Sequence, residues 1–197
     1  MAIDCRNKYQ SMLRFQKSLQ SAAYFLQLAG GRMKYLRLLK LLYLADRESL
    51  SNEEDSITGD RVSALPHGPV LSTVYNLIKH KDSQSELWHK YVKTGEDFYV
   101  FLAENPGTGD LYRYEKEIIE RVHKEHENKN DFELVDFTHD LPEWKKYERR
   151  LNVRGKKSYS ISLEDILEGV GKPELIERVR GNLLCEKHYN ELFGNEP

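Results

Sequence analysis

The sequence predicts a mainly α-helical α+β fold, with a central buried helix and a small antiparallel β element. Three observations carry that prediction. Leucines 36, 38, 39, 41, 42 and 44 spread around most of a helical circumference within residues 32–50, the pattern of a helix covered on nearly all sides. Two aromatic-rich runs, Leu87 to Val92 and Phe98 to Leu102, flank the turn Lys93-Thr-Gly-Glu-Asp97, which is a β-hairpin signal. The 197 residues are 39% hydrophobic and include 12 Tyr, 7 Phe and 2 Trp, which supports a folded chain with one domain over residues 1–197 rather than two full domains.

In chain order, Phe15, Leu19, Ala22, Ala23, Phe25 and Leu26 keep the 3- and 4-residue spacing of an amphipathic helix ended by Gly30-Gly31. The leucine-rich helix 32–50 follows. Glu48 to Asp60 then holds five acidic residues and no basic one, an acidic surface loop. Residues 57–70 contain Gly59, Pro66, Gly68 and Pro69, punctuation that suits a short strand between tight turns, with Pro69 opening a helix over Val70 to His80. After the hairpin, Asp110 is a candidate N-cap for a helix over Leu111 to Glu127. A short helix is expected over Phe132 to His139, stopped near Pro142. Glu143 to Lys157 carries seven basic residues against two acidic. Ser162-Leu-Glu-Asp165 fits a capping box, and Lys172-Pro173 opens a last helix whose apolar face includes Leu175, Ile176, Val179, Leu183, Leu184 and Leu192.

With 30 Lys+Arg against 32 Asp+Glu and a net charge of −2, the chain does not coat nucleic acid or an anionic membrane by bulk electrostatics, so any such patch must be local. The first ten residues lack an apolar signal region, and the longest strictly apolar run, Leu41 to Ala45, is far short of the ~18 residues that span a bilayer. Cys5 and Cys185 stand near opposite ends of the chain and read as reduced thiols, which points to the cytoplasm. Phosphate-loop and dinucleotide patterns fail. Gly107-Thr-Gly109 lacks its third glycine at Tyr112, and Gly169-Val-Gly171-Lys172 has Ile166 where the loop's first glycine belongs. His123 and His126 are three apart but lack a His-Glu-x-x-His setting, so they read as solvated surface residues. No metal or cofactor is expected, and enzyme is the minority class.

Lys40, Tyr43 and Arg47 lie on one narrow face of the leucine-rich helix. That face reads either as a solvated strip with snorkelling stems or as a partner site. Arg37-Leu-Leu-Lys-Leu-Leu-Tyr-Leu-Ala-Asp-Arg47, Ile57-Thr-Gly-Asp-Arg61, Ala64-Leu-Pro-His-Gly-Pro-Val70 and Val74-Tyr75 together resemble the signature of the Panacea domain, the SocA-like antitoxin family. Thr138-His139 and Trp144 extend the resemblance, which covers residues 16–146. Residues 147–197 lie outside it, as a basic linker and a C-terminal helical extension. The resemblance implies a mainly helical fold with a small β element, a cognate toxin as partner, no catalytic residues and no cofactor. In one branch of that family the toxin is handed to an AAA+ protease.

Gly59, Pro66, Gly68 and Pro69 read as fixing backbone geometry. Asp46, Arg47, Asp60, Arg61 and His67 are charged or titratable groups that the turn draws together. They form either a buried polar network or an exposed partner site. Lys40, Tyr43, Arg47, Arg61 and His67 are the candidate partner-binding residues, with Tyr43, Arg47 and Arg61 foremost because Tyr and Arg dominate interface anchors. The basic 145–157 segment is the next candidate. A competing class is a winged-helix DNA binder that faces Ser72, Thr73, Asn76 and Lys79 to bases, although that helix carries little positive charge.

Overall fold

A computed structural model describes residues 5–151, 158–181 and 184. Helix α1 (Cys5–Leu28) leads through β1 (Arg32–Lys34) into α2 (Tyr35–Glu53). Strands β2 (Val62–Leu65) and β3 (Gly68–Leu71) form a tight hairpin that runs directly into α3 (Ser72–Ile78). Next come α4 (Ser85–Tyr91), β4 (Val92–Thr94), a 3-10 turn (Glu96–Phe98) and β5 (Tyr99–Leu102). Helices α5 (Arg113–His126), α6 (Asp131–His139) and α7 (Pro142–Leu151) precede β6 (Tyr159–Ile161) and α8 (Leu163–Gly169). A 3-10 turn at Pro173–Leu175 opens the helical residues 176–181.

Helices dominate, and α2 is the hub. It packs against α1, α5, α6, α8 and β3, so its leucines point into protein on every side. Leu39 and Leu42 are each 1% exposed. Replacing either with alanine is expected to cost about 2–5 kcal/mol in denaturant unfolding, the usual range when a buried leucine leaves a cavity. Losses below ~0.5 kcal/mol at both positions would show that α2 is not core.

Two small antiparallel sheets flank the hub, with strand orders β1-β5-β4 and β3-β2-β6. Both depart from the sequence reading. Arg32–Lys34 is a strand rather than the first turn of a helix, because Met33 points inward opposite Val100 and three residues are too few for periodicity to register. Ser85–Tyr91 is a helix, leaving Val92–Thr94 to pair with β5. Trp88 is fully buried there while Leu87 is exposed. Pro69 does not open a helix. It sits in β3 opposite Ala64, on an edge strand where its missing N–H interrupts no ladder.

Other boundaries shift. Helix α1 begins at Cys5, well before the Phe15 at which the apolar spacing starts. Asp110 caps nothing. Its carboxylate accepts from Gln20 Nε2 at 2.6 Å and its backbone N–H donates to Gln20 Oε1 at 2.9 Å, which ties the loop to α1. Helix α5 starts at Arg113, and the Glu115 carboxylate accepts the Tyr112 N–H at 2.7 Å. Ser162 does cap α8, accepting from the Asp165 N–H. The stretch expected to be a linker and helical extension instead supplies β6, which pairs with β2. Ile161, Ile166, Leu167 and Val179 join the same hydrophobic core. Residues 152–157 of the basic segment, with Leu183, Cys185 and Leu192, lie outside the described residues. No helix of the described residues is long and apolar enough to cross a membrane.

Candidate functional site

The polar residues of α2 meet the rest of the fold at three levels. At the first, the Lys40 ammonium is 0% exposed and donates to the Pro69 carbonyl at 2.8 Å. Burial lowers its pKa to about 7. Gly68 lies against it with φ +95°, and a Cβ there would fall 2.6 Å from Lys40 Nζ and 2.7 Å from Thr138 Oγ1. Only glycine lets the hairpin approach so closely. The neighbouring His139 ring stacks on Trp144 with centroids 4.0 Å apart, and Trp144 Nε1 donates to the Leu65 carbonyl at 3.0 Å. Burial, then the Lys40 charge, pushes the His139 pKa down.

The second level centres on Glu143, whose side chain is fully buried. Its Oε1 accepts from the Tyr43 hydroxyl at 2.6 Å and from Arg47 Nε at 2.6 Å, while Arg47 Nη2 also donates to the Gly169 carbonyl at 3.3 Å. Burial, then the Glu143 charge, raises the Tyr43 pKa well above that of an ordinary phenol. A Cβ on Gly169 would lie 2.1 Å from Glu143 Oε2, so the end of α8 must be glycine for this acid to fit.

At the third level, buried Asp46 accepts the Thr58 N–H at 3.0 Å and the Thr58 hydroxyl. Burial raises its pKa to about 7 against the opposing pull of Thr58. Asp60 accepts from the backbone N–H groups of Arg61 at 2.6 Å, Thr73 at 2.8 Å and Val74 at 3.1 Å. It thereby holds the start of α3 to the base of the hairpin.

Of the two roles open to these residues, an interior network is the one this geometry fits for Lys40, Tyr43, Asp46 and Arg47. Lys40 and Tyr43 present no surface to a partner. Arg61, Pro66 and His67 are exposed. Arg61 and His67 do not share a turn: they flank the four-residue strand β2, which alone is about 13 Å long at the usual rise per residue. The helix a winged-helix reading would place in a groove is the seven-residue α3, whose start faces the Asp60 carboxylate, a charge that disfavours phosphate there. His126 is buried against Phe137 rather than solvated. Among the described residues, no three His, Cys, Asp or Glu side chains converge as metal ligands.

Sequence reasoning passed over Glu143 and Thr58 as site residues. Glu143 heads an otherwise basic segment, so its surroundings in sequence read as solvated. Its partner Tyr43 is 100 residues upstream.

Two buried groups with opposite shifts give a pH signature. Unfolded, Lys40 titrates near 10.4, so between about pH 7 and 10 the unfolded chain binds the extra proton and stability rises with pH. Unfolded, Asp46 titrates near 4, so between about pH 4 and 7 the folded chain binds the extra proton and stability falls as pH rises. The pair therefore stabilises least near neutrality. In unfolding free energy measured against pH, Lys40→Met should flatten the alkaline limb and Asp46→Asn the acid limb. Variant curves parallel to the wild type would contradict the assignment.

A family model described as antitoxin SocA-like, Panacea domain, matches residues 38–145, more than half of the chain. No curated protein and no solved structure matches it.

Proposed function

Because the chain belongs to the SocA-like Panacea antitoxin family, we propose that it neutralises a cognate toxin in the cytoplasm by binding it directly, without catalysis. The family match carries this reading. It spans α2, the β2–β3 hairpin, α6 and the start of α7, the elements that Lys40, Gly68, Thr138, His139 and Trp144 lock together. Polar groups spent on such a lock shape a surface rather than attack a substrate. Arg61 and His67, exposed at the two ends of β2, are the family-like residues free to touch a partner.

The test is co-expression with the product of the neighbouring gene. Growth should be restored at stoichiometric amounts of the antitoxin, and the two proteins should co-purify. Arg61→Ala and His67→Ala should weaken the complex by roughly 2 kcal/mol or more while leaving the melting temperature unchanged. Rescue at sub-stoichiometric amounts with no stable complex would overturn direct neutralisation and favour delivery of the toxin to an AAA+ protease.

A further inference from the structure

The outer face of the β1-β5-β4 sheet gathers cations and aromatic rings. Strand alternation sends Met33, Val92 and Val100 into the core, where all three are buried, and turns Arg32, Lys34, Lys93, Tyr99 and Phe101 outward. In register, Arg32 and Lys93 flank Phe101 from either side, and Lys34 lies opposite Tyr99. Phe98, 66% exposed, continues the patch and meets the edge of Tyr35 at a centroid distance of 6.0 Å. Lys79 stands over Tyr35 at 4.1 Å.

Leaving rings this size on a surface has a solvation cost, and they are not scattered singly. The charges are equally unbalanced. Lys17, Arg47, Arg121, Lys146, Arg178 and Arg180 all pair with carboxylates. Among the described residues, Arg32, Lys34, Lys79 and Lys93 make no such pair. Of the acids near in sequence, Asp82 is three residues from Lys79, Glu104 pairs with Lys90 at 3.6 Å, and Glu96 and Asp97 lie at the exposed tip of the β4–β5 turn. In a chain of net charge −2, this is a local basic field around an apolar floor.

We infer that this face docks an acidic segment of a partner protein, its carboxylates meeting Arg32, Lys34, Lys79 and Lys93 and its apolar side chains lying on Phe98 and Phe101. Protein is favoured over single-stranded nucleic acid because the tyrosine rings are already occupied. Tyr99 carries the Arg32 guanidinium at 5.7 Å and Lys34 Nζ at 5.9 Å, and Tyr35 carries Lys79. A ring engaged by a cation offers less free π-face for a base to stack on. Carboxylates, by contrast, add to the arrangement without dismantling it. The inference rests on the antitoxin reading in taking the partner to be the toxin, and it adds a contact on a face distinct from the one that carries Arg61 and His67.

Two measurements on the full-length protein decide it. In the first, fluorescence anisotropy follows a labelled peptide of alternating glutamate and leucine, with labelled oligo(dT) of similar length as the competing probe. The wild type should bind the peptide in a salt-sensitive manner, and the Arg32→Glu/Lys34→Glu/Lys93→Glu variant should lose about tenfold or more. A variant with the same charge change elsewhere, Arg113→Glu/Lys116→Glu/Lys124→Glu on α5, should bind like the wild type. Circular dichroism confirms that both are folded. Preference for oligo(dT), or equal peptide binding by all three proteins, would overturn the inference. In the second measurement, the same three proteins are co-purified with the toxin. A complex that survives reversal of the sheet face overturns the face but leaves the antitoxin reading standing. Absence of a complex with the wild type overturns the antitoxin reading, and the peptide measurement still decides the face.

Discussion

Replacing Glu143 with alanine is expected to destabilise the fold by about 3–5 kcal/mol, the range seen when one partner of a buried ion pair is removed. The carboxylate is fully buried and takes bonds from both Tyr43 and Arg47. Its removal strands the Tyr43 hydroxyl without an acceptor in the core and leaves the partly buried Arg47 guanidinium with only the Gly169 carbonyl. It also opens a gap between α2, α7 and α8. Denaturant unfolding provides the measurement. The double variant Glu143→Leu/Arg47→Met should recover much of the loss, because replacing both charges with apolar groups removes the desolvation penalty. A loss under ~1 kcal/mol for Glu143→Ala alone would show that the acid is not the joint between these helices.

Gly68→Ala should be comparably damaging, by about 3 kcal/mol or more. Two costs combine. At φ +95° any L-residue is strained by roughly 1–3 kcal/mol, and the new methyl would press on Lys40 Nζ and Thr138 Oγ1, both held inside the protein. Lys40 cannot retreat without losing its bond to the Pro69 carbonyl, which would leave a buried amine unsatisfied. Gly107→Ala is a control for the first cost alone, since its φ is +78° and nothing lies within 4 Å of a Cβ there. Equal losses at the two positions would mean that the Lys40 cradle adds nothing.

The central helix was legible because leucine on every side of a helix has one physical solution, burial. The turn at Pro66 to Pro69 was legible for a similar reason, since one glycine and two prolines within four residues leave the backbone few choices. What was hidden depends on partners distant in sequence. Arg32–Lys34 and Tyr159–Ile161 are strands only because Tyr99–Leu102 and Val62–Leu65 lie beside them. Spacing placed Lys40, Tyr43 and Arg47 on one face, but not what covers that face. The hairpin and Glu143 do so, both from further along the chain.

Strand β6 also imposes an order in time. About ninety residues separate Leu65 from Tyr159, which at translation rates of roughly 5–20 residues per second is some 5–20 seconds of synthesis. Throughout that interval the nascent β2–β3 hairpin shows an unpaired backbone edge to the crowded space outside the ribosome. Such an edge recruits any other strand that fits it. A message cut short after Leu151 would leave the edge open for the life of the product, which would then meet its own copies edge to edge. The stretch matched to the family, residues 38–145, ends before β6, so the strand that closes this edge lies outside the matched stretch.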